Sequence, residues 1–173
     1  MKRIFGLLCV LLLLTGCAGG FTAPDYESGV RQAAVQPFTF VGTLTLAELA
    51  QPVELRGQAG CDGLLLELLS PPGLAGMTLK FEEESIRVQY RELVLNLEEG
   101  DIPESSVFVA LSRVLPCLSE GAATQKDGLV LLEGAAGSAS YKAMWQGEPP
   151  TLLWLEIPTC GAKIEISEFS VDR

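Results

Sequence analysis

From Phe38 onward the chain alternates apolar and polar residues in short runs broken by turn residues, and this period of two excludes most folds. Phe38, Phe40, Gly42, Leu44 and Leu46 share one parity, with Thr39, Val41, Thr43 and Thr45 on the other, as in a half-buried strand. Val53, Leu55, Gly57 and Ala59 oppose Glu54, Arg56 and Gln58 in the same way. Cys61-Asp62-Gly63 then turns the chain, Asp-Gly being a dipeptide that tolerates positive φ in a tight hairpin. Leu64 to Leu69 is apolar on both parities except for Glu67, which predicts a strand covered on both faces. Ser70-Pro71-Pro72-Gly73 breaks it. Met77, Leu79 and Phe81 form the next run, followed by Ile86, Val88 and Tyr90, then by Leu93, Leu95 and Leu97. Five strands after the first, joined by short turns, predict an antiparallel meander.

The period changes after Gly100-Asp101-Ile102-Pro103. Val107, Phe108, Leu111, Val114 and Leu115 mark one face of a helix over Ser105 to Leu115, with Ser105 or Ser106 as its cap and Pro116 as its stop. Gly121 to Gly128 reads as a loop. Strands resume at Leu129 to Glu133, Ser138 to Trp145, Thr151 to Ile157 and Ala162 to Phe169, separated by turns at Gly134–Gly137, Gly147–Pro150 and Pro158–Gly161. Before the meander, Cys17 to about Gln36 carries Gly, Pro, Asp and Ser without a sustained apolar period and reads as a flexible tether. The expectation is one mainly β domain over residues 37–173, with about ten strands and one or two helices (α+β), and no internal repeat.

Ahead of the tether, Met1-Lys2-Arg3 is basic, Ile4 to Leu14 is an apolar run, and Leu14-Thr15-Gly16-Cys17 follows. A basic start, a short apolar stretch and a small residue at the cut describe a secretory signal, too short to span a bilayer stably. The Leu-Thr-Gly-Cys ending resembles the lipobox of bacterial lipoproteins. That resemblance implies removal of residues 1–16 and a diacylglycerol (palmitate-type) anchor on Cys17. The other reading is an ordinary signal cut after Gly16 or Ala18. Without its first sixteen residues the chain keeps 157, with ten basic against 22 acidic side chains. A charge of −12 repels nucleic acid and anionic headgroups, so membrane contact would rest on the acyl anchor and apolar loops.

No histidine is present anywhere in the 173 residues. Ser-His-Asp and Cys-His catalysis, histidine-ligated zinc and a histidine pH switch are thereby excluded. Cys9 belongs to the signal and Cys17 to the anchor, leaving Cys61, Cys117 and Cys160, an odd set without a C-x-x-C pair. No metal or cofactor is expected. Glu82-Glu83-Glu84 reads as a solvated turn, and Asp62, Glu67 and Asp101 lack a fixed partner that would tune an acid–base pair. If successive strands alternate direction and the strand after the helix runs opposite to the one before it, Cys61 and Cys160 lie at opposite ends of the sheet, Cys160 on the side of Ser70–Gly76, and no bond between them is expected.

The succession of acylated cysteine, tether, meander with a Ser-Pro-Pro-Gly turn, one helix and four closing strands resembles the LolA/LolB-like superfamily over roughly Phe38 to Phe169. Its local echoes are Leu66-Glu67-Leu68-Leu69-Ser70-Pro71-Pro72-Gly73 and Pro150-Thr151-Leu152-Leu153-Trp154-Leu155-Glu156-Ile157. The resemblance implies an open antiparallel half-barrel covered by a helix, holding acyl chains in its cavity. In the outer-membrane receptor of that superfamily a leucine protrudes from the equivalent turn; here Pro72 takes its place and Leu74 follows the glycine.

Candidate groove residues are Leu66, Leu68, Leu79, Phe81, Val88 and Leu95 on the strands, with Phe108 and Leu111 on the helix. Leu74 and Met77 are the candidate membrane-contact loop. Together these features predict a monomeric, non-enzymatic extracytoplasmic lipoprotein, anchored to the cell membrane or, in a cell with two membranes, to the outer one. It would bind lipid or lipoprotein acyl chains. The alternative is an envelope interaction lipoprotein with a closed core and a protein partner.

Overall fold

The computed structural model describes residues 25–60, 63–82, 85–103 and 105–172. Eleven strands form one antiparallel sheet. They are β1 (Phe38–Leu46), β2 (Val53–Gly60), β3 (Gly63–Leu68), β4 (Thr78–Phe81), β5 (Ser85–Tyr90) and β6 (Leu93–Glu98). After the helical segment come β7 (Ala122–Lys126), β8 (Leu129–Ala136), β9 (Ala139–Gly147), β10 (Pro150–Ile157) and β11 (Ala162–Val171). The order across the sheet is β6-β5-β4-β3-β2-β1-β11-β10-β9-β8-β7. Two meanders therefore join in the middle through β1 and β11, where Leu46 faces Ala162 and Phe38 faces Val171. The free edges are β6 and β7, and the sheet is an open half-barrel, as the resemblance implied.

Alternation decides which face is buried. Phe38, Phe40 and Leu44 of β1, Leu55 and Ala59 of β2, and Leu64, Leu66 and Leu68 of β3 all point to the concave side and join one core. Ala143 and Trp145 of β9 with Leu155 and Ile157 of β10 continue it. In β3 the reading of two covered faces is corrected: Leu65 is 38% exposed, so only the concave face is buried. Gly57 is required by packing, since a Cβ there would overlap the ring of Phe40, its partner across the β1–β2 pair. Gly63 takes φ +100, the positive value expected of the Asp-Gly turn.

Among the described residues two helices lie on the concave side. The first, α1 (Tyr26–Val35), corrects the tether, whose residues 26–35 are helical. Asp25 caps it, its side chain accepting from the Ser28 backbone N–H at 3.3 Å. Glu27 and Arg31 pair at 2.9 Å across one turn. Val30, Ala33 and Ala34 are buried, and Tyr26 packs against the same core. Arg31 also donates to the carbonyls of Ser119 and Gly121, which ties the helix to the segment before β7. Gln36 is extended, as the residue before a proline prefers.

The second helix, α2 (Val107–Val114), is shorter than the sequence pattern predicted. Its chain continues as a 3-10 turn over Leu115–Glu120, which accommodates Pro116 at its start. Ser106 occupies the cap position but makes no capping bond with its side chain. Two smaller corrections concern β7, read as a loop, and β8, which runs through Gly134 to Ala136 before turning.

Candidate functional site

The register aligns the core in rows that cross the sheet. One row runs Phe40, Gly57, Leu66, Leu79, Val88, Leu95, each opposite the next in the strand pairing. A second runs Phe38, Ala59, Leu64, Phe81, Ile86, Leu97. Four of the six candidate strand residues thus stand in one line, Phe81 stands in the adjacent one, and Leu68 faces Leu55 on the other side. Burial falls along the row. Leu66 and Leu79 are buried, Val88 is half-buried, and Leu95 is 44% exposed. Of the two helical candidates, Leu111 is buried and Phe108 half-buried against the core. The concave face is therefore filled by side chains beneath the helices and bare at β6.

The cause of that gradient is where the helices land. Both α1 and α2 pack on β8 and β9, with α1 also reaching β7 and β10 and the 3-10 turn reaching β2. At the far side Leu93 is 57% exposed, and Val94 and Leu95 are exposed with it. Leu49 in the β1–β2 loop and Leu74 in the β3–β4 loop are exposed at the same end of the sheet, where β5 turns into β6. Tyr90 fixes part of this end, its hydroxyl donating to the Gly73 carbonyl at 2.8 Å. Met77 turns inward and packs against the core, unlike Leu74.

The opposite end of the sheet carries α1 and an aromatic group that sequence reading did not single out. Phe38 lies 5.4 Å from Phe169, which in turn meets Trp145 edge-on at 5.4 Å. A hollow of about 520 Å³ opens between α1 and the adjoining parts of β10 and β11, lined by Gly29, Gln32, Gln36, Thr151, Phe169 and Ser170 among others. A single tryptophan in an alternating strand carries no sequence signal beyond core. Its neighbours come from strands far apart in the chain.

Charge stays on the outside. Arg56–Glu67, Lys80–Glu82, Lys142–Glu133 and Lys163–Glu165 pair across or along the convex face at 2.7 to 3.0 Å. Lys80 and Lys163 hold the Glu82 and Glu165 carboxyls below the usual carboxylate range through hydrogen bonding and charge, and Glu133 raises Lys142 in the same way. Beneath α1, the Tyr141 hydroxyl donates to the Cys117 carbonyl at 2.7 Å. Burial raises both the Tyr141 hydroxyl and the Cys117 thiol. Among the described residues no charged side chain is buried, and no group of three His, Cys, Asp or Glu could hold a metal.

Cys17, the candidate lipidation site, and Cys61 lie outside the described residues. Gly60 and Gly63, which flank the β2–β3 turn, sit at the end of the sheet opposite Cys160, and Cys117 and Cys160 are free thiols. Among the described residues no helix is long and apolar enough to cross a membrane.

No family model matches the chain, and no curated protein matches it either. Solved structures do. An uncharacterized conserved protein from Thermus thermophilus aligns over 86% of each chain, at 12% identity and a TM-score of 0.50. A LolA superfamily protein from Nitrosomonas europaea covers 87% of this chain and 95% of its own, at 8% identity and 0.44. The Mycobacterium tuberculosis lipoprotein LppX covers 87% and 100%, at 14% and 0.42. The class is that of an open antiparallel half-barrel with helices on its concave face.

Proposed function

We propose that this protein is an extracytoplasmic lipoprotein, anchored through Cys17, that receives lipid or the acyl chain of another lipoprotein against its concave face without catalysis. One observation carries the reading. The apolar row that is buried at Leu66 and Leu79 continues to Leu95, which is exposed together with Leu93 two residues before it on the same face of β6. An alkyl chain laid against this end would bury surface that now faces water, at about 25 cal/mol per Å². Leu66, Leu68, Leu79, Phe81 and Val88, with Phe108 and Leu111 from α2, are the side chains it would meet as it moves inward. Leu74 is the residue that would touch a bilayer. Anchoring to the cell membrane, or to the outer membrane of a cell with two, follows from the lipobox resemblance.

The test is binding of a fluorescent fatty-acyl probe to Ala18–Arg173, which includes every described residue of the fold. Leu93→Asp with Leu95→Asp alters exposed positions, so melting should stay within about 2 °C. Probe affinity should fall several-fold. Unchanged affinity would refute this end as the entry.

A second reading has its own observation. The inner candidates are packed, with Leu66 and Leu111 both fully buried. A permanently closed core would make β6 and its exposed leucines the docking surface for an envelope protein. That reading predicts no probe binding by the isolated chain.

A further inference from the structure

The convex face carries an apolar patch that the concave core does not account for. Leu131 of β8, Met144 of β9 and Trp154 of β10 stand in one row, each opposite the next in the strand pairing. All three are half-buried, yet none of them joins the core cluster. Lys163 lies over the Trp154 ring at 6.0 Å. Tryptophan and methionine on an open sheet face are residue types enriched where proteins meet.

Two residues further along each strand, the next row on this face is made of charges. Glu133, Lys142, Glu156 and Lys163 follow one another across β8, β9, β10 and β11, again each opposite the next. The signs alternate, and Lys142 bridges Glu133 at 3.0 Å. That order decides what the face can meet. A two-fold axis parallel to the strands, between β9 and β10, lays the charged row on its own reverse. Glu133 then meets the second copy's Lys163, Lys142 meets its Glu156, and Met144 comes against its Trp154. Every charged contact joins opposite signs. An axis across the strands sets each charge on itself, and an axis along β9 sets Lys142 on Lys142.

The same axis keeps both copies pointing the same way. In each, the chain joins the fold at Tyr26, whose N–H donates to Gln125 of β7 at 3.2 Å and whose ring lies beside Gly147 at the end of β9. Both copies present that corner at one end of the pair, as anchoring of both through Cys17 to one membrane requires.

We infer that the outer face of β8 to β11 binds a second copy of this chain, back to back and about a two-fold axis parallel to the strands. The inference goes beyond the acyl-chain reading, leaves both concave faces open, and replaces the monomer expected from the sequence. Four strands about 4.8 Å apart and two rows of side chains give a footprint of about 300 Å² per copy, against about 800 Å² in a standard interface. The pair is therefore weak in solution, with a dissociation constant on the order of 100 μM. Tethering both copies to one membrane favours it by raising their effective concentration.

Sedimentation equilibrium of Ala18–Arg173, which retains every described residue of the fold, tests this at about 1 mM, roughly tenfold above that constant. The expected result is a reversible monomer–dimer equilibrium that weakens several-fold as salt rises from about 0.05 to about 0.5 M. Lys142→Glu and Glu156→Lys each set like charges against one another twice, so each alone should weaken pairing by about tenfold or more. An equal mixture of the two variants restores opposite signs at every contact between unlike copies, and should pair about as tightly as the parent. Circular dichroism checks that each variant is folded. A monomer at the highest concentration would overturn the inference, and so would one that instead binds phosphatidylcholine vesicles through Trp154. Charge variants that pair like the parent, or a mixture that stays monomeric while the parent pairs, would overturn it as well. Acyl binding is read separately on the concave face and stands or falls without these results.

Discussion

Val30→Ala tests whether the segment before β1 belongs to the fold. Val30 is fully buried on α1, whereas Val35, five residues on in the same helix, is 66% exposed. Removing two buried carbons costs about 1.6 kcal/mol in transfer, at about 0.8 kcal/mol each. The void left beneath the helix adds about 1 kcal/mol, and the better helix propensity of alanine returns about 0.5. The net loss is about 2 kcal/mol, equivalent to a melting shift of about 4 to 8 °C for a domain of this size. Val35→Ala has the same chemistry without the burial and should fall within about 0.5 kcal/mol of the parent. Urea unfolding of Ala18–Arg173 followed by circular dichroism measures both. Equal and negligible effects at the two positions would mean that α1 is not docked, and the account of the covered half of the sheet would fail with it.

Asp25→Ala should cost about 1 kcal/mol in the same assay, because the Ser28 N–H loses its acceptor, and Asp25→Asn should recover most of it. Gly57→Ala should destabilise by about 1 to 3 kcal/mol through displacement of the Phe40 ring, and a Phe40→Leu background should reduce that penalty in a double-mutant cycle. Tyr141 and Cys117 hold their protons more tightly in the folded chain than at their ordinary values of 10.0 and 9.0. The unfolded chain therefore releases these protons first as pH rises, so their contribution is complete below the ordinary values and lost as pH climbs through the raised ones. Thermal melts across that alkaline range should show the decline, and Tyr141→Phe should flatten the part due to the hydroxyl.

Most strands were legible because each buries one face only. Val53 to Gly60, for instance, alternates buried and exposed without a break, so parity alone locates it. The elements that escaped are those whose apolar side is built of small residues. Tyr26, Val30, Ala33 and Ala34 do recur at helical spacing, but two alanines and Gly29 give a weak apolar signal amid capping residues. In β7, Ala122-Ala123-Thr124-Gln125-Lys126 is an edge strand with little to bury, so neither period appears. The candidate groove residues were recognisable as one face, since strand parity carries that information. How far each is covered was not, because coverage depends on α1 and α2 landing over β7 to β10 and leaving Leu93 and Leu95 bare.

The most direct measurement of the central claim is native mass spectrometry of Ala18–Arg173, purified without detergent from a bacterial envelope extract and followed by solvent extraction. The account predicts a co-purified acyl lipid at near-stoichiometric amount. A bare protein mass that stays bare after incubation with acyl esters would contradict it.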